Sequence, residues 1–403
     1  MANVVQLKHL EHIEDEMFNW GSEGCHASVR FMKELIKMLG KKQSSAFMQT
    51  KWDGAPSVVC GIDPASGLFF VGNKSVFNKS GPKIAFSERD VDVLYPEQEG
   101  LAIKLKMAYR YFSKLNIKGV IQGDLMFTQE DKKYERIDGE ELITFRPNTI
   151  TYGIPKDHPI GREVDVAKIG VVFHTHYTGS DLSTMSAGPG ANVKTLVKIP
   201  ECVVIENDTP MNDINVPFSV INQFTNSTSK IERMCQICGV FLNELVANMG
   251  TTGDQKFHVA SFIKQFFNSE IREGRAVQNI QTVMKSFGSF YHTKMLKEIE
   301  KVKSDKGKTQ KRDLLYTGLK YIEEHEREFA AMFALYKEMQ IAKKLVIDQL
   351  DHLETFRTFV QTDNGYKVTT PEGYVLHHEG DMIKLVNRLE FAFNNFNIQK
   401  QWK

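Results

Sequence analysis

The stretch SAFMQTKWDGAPSVVCGID sets a lysine, Lys51, directly before Trp-Asp-Gly at the end of an apolar run that reads as a strand. A lysine buried in a sheet is costly unless it is paired or gives up its proton, and a neutral lysine is a nucleophile. Gly54, three residues on, leaves room for another group to come close. Taken alone, Lys-x-Asp-Gly describes a surface lysine beside a turn equally well. Other residue types invite weaker readings. Cys235 and Cys238 make a lone Cys-x-x-Cys in a helical pattern, whereas a structural zinc site takes about four ligands, so core packing is expected of them. His174 and His176 alternate along a strand and share a face, which suits a metal but more commonly serves hydrogen bonding. His377 and His378 are neighbours in a strand and point to opposite faces. The segment HTKMLKEIEKVKSDKGKTQKRDLL carries eight Lys/Arg against four Asp/Glu, either a phosphate-contacting stripe or a mobile, solvated loop between helices.

The elements that must position these residues follow from composition and periodicity. With 403 residues, 41% hydrophobic and 25% charged, the chain has material for one large core or two moderate ones. Its apolar runs are too short to span a bilayer, and the start MANVVQLKHLEHIEDE lacks the basic-then-apolar order of a secretion signal, so a cytoplasmic protein with no membrane partner is expected. Five cysteines thinly spread over a long chain predict reduced thiols. A net charge of +1 confines any nucleic-acid surface to a local patch.

Two helical patterns open the chain, VVQLKHLEHIEDEMFNW and HASVRFMKELIKMLG, the second with Gly40 as its stop. From Phe47 to about Asn207, short apolar or alternating runs broken by Gly, Pro and Asn predict a sheet-rich region with one helix at EGLAIKLKMAYRYFSKL. Residues 218–362 read as helical, closing on a long amphipathic run, and strands return as a hairpin around His378-Glu379-Gly380-Asp381 before a short terminal helix, RLEFAFNNFN. The fold class is α+β. Because a lone hairpin is marginal in water, the last strands are expected to complete the earlier sheet, with the helices as an insertion. The expected division is N-terminal helices over 1–45, a sheet domain over 46–214, a helical insertion over 215–362, and the last strands and terminal helix over 363–403.

KWDGAPSVV resembles the first motif, Lys-x-Asp-Gly, of the covalent nucleotidyltransferase superfamily, which contains ATP-dependent DNA ligases, RNA ligases and mRNA capping enzymes. Further stretches are similar to that family's motifs in the same order: FVGNKSVFNKSG, GVIQGDLMF, KIGVVFHTHY, and the closing pair within PEGYVLHHEGDMIKLVNRLEF. The resemblance covers roughly residues 45–205 and 365–395. It implies a ligase-type domain of packed, mostly antiparallel sheets, with ATP and Mg²⁺ as cofactors. It also implies that Lys51 is the nucleophile that forms a lysyl-AMP phosphoramidate while pyrophosphate leaves. Glu372, before Gly373, corresponds to the metal-organising glutamate, and Lys384 to the cation that meets charge on the α-phosphate. By the same resemblance Asp124 holds the ribose or a metal-bound water, Phe173 stacks on adenine, Lys74 contacts ribose or phosphate, and Asp53 and Gly54 lie against the nucleotide.

The departures are specific. Asp124 stands where the family usually has Glu, and DMIKLVN has one lysine where two are common, so phosphate neutralisation falls to Lys74, Lys79 or Arg388. Glu201 in IPECVVIEND is a weaker rival to Glu372, lacking the following Gly. Only 19 residues follow Lys384, too few for the small β-barrel of DNA ligases and capping enzymes, so the layout is closest to RNA ligases. The expected activity is an ATP-dependent polynucleotide ligase joining 3′-hydroxyl to 5′-phosphate ends of RNA or nicked duplex. A nucleotidyltransferase with another acceptor and an inactive binding protein are the alternatives.

Overall fold

The computed structural model describes residues 10–247, 259–277, 279–353, 356–362 and 365–391. Among these residues, helices and several sheets are mixed in an α+β arrangement. The first half runs α1 (Glu16–Leu39), β1 (Phe47–Lys51), β2 (Ser57–Ile62), β3 (Phe69–Gly72), α2 (Glu88–Leu94), α3 (Glu99–Phe112), β4 (Val120–Thr128), β5 (Lys133–Ile137), β6 (Glu140–Phe145), β7 (Thr151–Pro155), α4 (Pro159–Val166), β8 (Ile169–Thr178), β9 (Ser186–Pro189) and β10 (Cys202–Val204). The second half runs α5 (Phe218–Ala247), α6 (Ala260–Arg272), α7 (Ile280–Glu300), α8 (Asp305–Glu324), α9 (Glu326–Leu350), β11 (Arg357–Thr362), β12 (Gly365–Val368), β13 (Gly373–His378) and β14 (Asp381–Leu385).

A central sheet has the order β10-β8-β4-β2-β3, with β9 also on β8, and is antiparallel except at β10. Its middle strand β4, VIQGDLMFT, is almost wholly buried because both faces are covered. Ile121 and Leu125 face α3 through Leu105, Ala108 and Phe112, while Met126 and Val172 meet Ile143, Phe145 and Tyr152 of a second, flanking sheet ordered β12-β11-β7-β6-β5. A short third sheet joins β1 to β13 and β14. One face of it, carrying Met48, Tyr374, Leu376, Ile383 and Leu385, lies in the same core as α1 and α5–α9. The apolar positions of α9, among them Phe329, Met332, Phe333, Tyr336 and Met339, recur at helical spacing and fill that core.

Several expectations change. The closing hairpin keeps the expected turn, with Glu379 and Gly380 at φ 51° and 85° as a two-residue connection requires, and it completes an early sheet as expected through its pairing with β1, though that sheet is the short one and not the central one. The helices close no core of their own over 215–362; they share one with α1 and the short sheet. The helical stretch ends at Leu350, and β11 falls within the segment read as helix. At the start, two helical stretches meet at a break at Gly21 (φ 61°, ψ −131°), as the two patterns predict, although residues 10–15 of the first pattern are not helical and residues 4–9 of it lie outside the described residues. Residues 392–397 of the terminal helix also lie outside them. The basic loop is short: α7 reaches Glu300, and Ser304 caps α8 by accepting the Gly307 N–H at 3.2 Å. Cys25 of α1 and Cys235 of α5 are joined as a disulfide, against the expectation of reduced thiols, while Cys238 is buried and free. Among the described residues no helix is long and apolar enough to cross a membrane.

Candidate active site

Strand pairing brings the distant motifs together. Lys51 ends β1 opposite Gly373, and Gln49 lies opposite Val375, which in turn faces Lys384 on β14. Directly opposed residues share a face, and so do residues two apart, so Gln49, Lys51 and Lys384 project from the side of the short sheet away from the helices. Glu372, immediately before β13, accepts a hydrogen bond from Lys51 Nζ and pairs with it. Gly373 is required here. Its φ is +141°, and a Cβ would stand 2.4 Å from the Leu385 carbonyl oxygen.

Burial pushes the Glu372 carboxyl up to about 7; Lys51 and Lys384 oppose the shift and Asp53 adds to it. Lys384 is pushed down from the ordinary lysine range by burial and by the Lys51 ammonium, with Glu372 opposing. Sequence reasoning missed a neighbour, His12. The N-terminal segment lies along β14, with the Lys384 N–H donating to the Glu11 carbonyl at 2.8 Å and His12 bridged to Lys384. Burial, Arg388, Lys343, Lys384 and Lys51 all hold this imidazole neutral, and its Nδ1 has no partner among the described residues.

Within Lys-Trp-Asp-Gly each residue has a separate task. Trp52 packs against Tyr152 and Phe356, with ring centroids 5.3 and 5.4 Å away. The Asp53 carboxylate accepts from Asn148 Nδ2 at 2.8 Å, Thr149 N at 2.7 Å and Ile150 N at 2.9 Å, so it ties the loop to the β6–β7 connection and is not open to a nucleotide. Gly54 permits a close approach to β4: a Cβ would meet Asp124 Cβ at 2.6 Å. That closeness is to protein and not to a ligand, and it sets Asp124 beside the Lys51 loop. Asp124 Oδ2 lies 3.3 Å from His174 Nε2.

A family model described as a family of unknown function, DUF6267, matches residues 3–400. The chain belongs to the DUF6267 family. No curated protein and no solved structure matches it.

In this DUF6267 chain Phe173 does not take the expected place. The register of β8 on β4 shifts at a bulge, so that Gln122 faces Thr175 while Gly123 faces Phe173. Phe173 therefore points away from Asp124, toward α3, where its ring meets Phe112 edge-on at 5.5 Å and is 1% exposed. Its ring is thus almost wholly covered by protein. It does back a cavity of about 240 Å³ beside β1, whose lining includes Gln49, Asn192, Lys194, Asn207 and Asp208. Gln49, two residues before Lys51 on the same face, was readable from strand periodicity and was overlooked.

The DUF6267 chain leaves Lys74 exposed on the turn after β3, with no ion pair among the described residues. Arg388 is committed elsewhere: its Nη1 donates to both Asp15 oxygens and to Tyr336 Oη, each at 3.1 Å. His174 and His176 have separate partners, Thr175 Oγ1 at 2.8 Å and the Gly190 carbonyl at 2.9 Å. Among the described residues no three His, Cys, Asp or Glu side chains gather to hold a metal unaided. Mg²⁺ is commonly held by one or two carboxylates together with substrate phosphates; here Glu372, paired with Lys51, is the carboxylate that could supply the protein's share of such a site.

Proposed function

We propose that this chain is an ATP-dependent nucleotidyltransferase of the ligase type, carrying AMP on Lys51 and passing it to a polynucleotide 5′-phosphate before a 3′-hydroxyl displaces it. The observation that carries the reading is the convergence of Lys51, Glu372 and Lys384 from β1, the start of β13 and β14. In the first step the Lys51 amine, having lost a proton, attacks the α-phosphorus. A P–N bond forms, the bond to the bridging oxygen breaks, and pyrophosphate leaves. Glu372 holds Lys51 in place through the hydrogen bond it accepts, and its raised proton affinity makes it able to take a proton from the amine. Lys384, on the same face, supplies positive charge for the phosphate oxygens. Mg²⁺ shared between Glu372 and the ATP phosphates would offset further negative charge during the transfer. The cavity beside Gln49 offers amide and carboxylate groups that can hydrogen-bond a base next to Lys51.

Incubation with ATP labelled at the α-phosphate, in the presence of Mg²⁺, tests this. The peptide containing TKWDGAPS should gain an acid-labile AMP, and Lys51→Ala and Lys51→Arg should both abolish it, since a guanidinium keeps its proton. Labelling of Lys51→Ala on another lysine overturns the site. Wild-type label that never passes to a 5′-phosphorylated oligonucleotide overturns the acceptor.

A further inference from the structure

Far from Lys51 in sequence, a cavity of about 370 Å³ opens where α6, α7 and α8 meet. Its wall carries Lys294 and Lys297 of α7, Lys301 at the end of that helix, and Lys311 of α8. Glu298 is the one carboxylate on the wall. It accepts from Lys301 Nζ at 2.7 Å, which leaves Lys294, Lys297 and Lys311 without a carboxylate partner among the described residues. Lys294 and Lys311 are half-buried, and Lys294 Nζ stands 5.3 Å over the Phe290 ring. Lys301 and then Lys311 and Lys294 hold the Glu298 carboxyl below its usual range, as expected where several cations surround one anion.

Like charges gathered round a recess repel one another and are relieved by an anion. The pattern says which kind. Lys294, Lys297 and Lys301 repeat at i, i+3 and i+7, so they form a row down one face of α7, roughly 10 Å long at about 1.5 Å per residue. A row suits a chain of anions better than one compact anion. The surrounding segment, residues 294–313, carries eight Lys/Arg against four Asp/Glu in a chain of net charge +1, so positive charge is concentrated at this helical hairpin.

We infer that the α6–α7–α8 cavity is a binding site for the phosphodiester backbone of a single-stranded polynucleotide, with Lys294, Lys297 and Lys311 as the side chains that meet its phosphates. The inference shares its partner with the reading of Lys51 and rests on different residues.

Anisotropy of a fluorescein-labelled single-stranded oligonucleotide, titrated with the full chain at several salt concentrations, tests it. The triple variant Lys294→Gln, Lys297→Gln, Lys311→Gln should bind about tenfold or more weakly at low salt. Its slope of log affinity on log salt should shrink by roughly 0.7 for each phosphate that no longer meets a lysine. The corresponding triple arginine variant, which keeps the charge, should retain binding. If the glutamine triple loses its helical signal, Lys297→Gln alone, at an exposed position, carries the comparison. Equal affinity and slope for wild type and the glutamine variant overturn the site, as does binding of inorganic tripolyphosphate without binding of the oligonucleotide. ATP labelling of the same wild-type preparation keeps the two readings apart. Oligonucleotide binding through these lysines without label overturns the Lys51 reading alone, and label without oligonucleotide binding overturns this one alone.

Discussion

Of the four residues Lys-Trp-Asp-Gly, one faces the site and three hold it there. Trp52 anchors in the flanking core, Asp53 receives three donors from residues 148–150, and Gly54 lets the loop lie on Asp124. On the proposed reading, this short motif serves chemistry at Lys51 and positioning at the other three residues. Lys51 is paired with a carboxyl that burial raises to about 7, so the charged form of Glu372 is only partly populated at neutral pH. The labelling rate of wild-type protein should therefore rise through pH 7 as Glu372 ionises. Glu372→Gln should be slower and lack that inflection, while any step due to ATP itself appears in both profiles. Identical pH profiles would remove Glu372 from the proton chemistry. The stability consequence has a definite sign. Between the ordinary 4.5 and about 7 the folded chain holds a proton that the unfolded chain has released, so this group's contribution to stability falls as pH rises through that window.

At the scale of elements, the short sheet is two-faced. Thr50, Tyr374 and Leu385 are in register on one side, Gln49, Val375 and Lys384 on the other, so the alternation that buries Met48, Leu376 and Ile383 among the helices also aims the charged residues outward. Arg388, just beyond β14, belongs to the scaffold. It reaches Asp15 at the start of α1, Tyr336 of α9 and Asn268 of α6 from an 8% exposed position, and Lys343 of α9 pairs with buried Glu14 at 2.6 Å close by. Removing one member of such a buried network leaves charge uncompensated, so Arg388→Ala should cost about 3–5 kcal/mol in denaturant unfolding. A residue that only meets phosphate would behave otherwise, with labelling abolished and the unfolding midpoint unmoved.

Across the whole molecule, the helices of the second half form the back wall of the sheet that carries Lys51. Because α9, α1 and the β13–β14 hairpin bury one another, their slow-exchanging amides should open together, with the same free energy in native-state hydrogen exchange. A hairpin that opens well before α9 would show separable units. The sequence by itself determined whatever is local. The sheet-rich first half, the helix at residues 99–112, the turn at Glu379-Gly380, and the short motifs around Lys51, Glu372 and Lys384 all follow from periodicity and residue type within a few positions. Tertiary structure decided what depends on partners far along the chain. The pairing of β1 with β13 joins residues more than 300 positions apart, and no local pattern encodes it. One bulge at His174 set Phe173 on the far side of its sheet from Thr175, because a single extra residue puts the side chains before and after it on opposite faces. Asp53 was read toward a ligand because its three donors lie nearly 100 residues away, and although the helices are the expected insertion between strands that pair with earlier ones, their burial against α1 and the short sheet was not legible, because amphipathic spacing shows that a face is buried without showing against what.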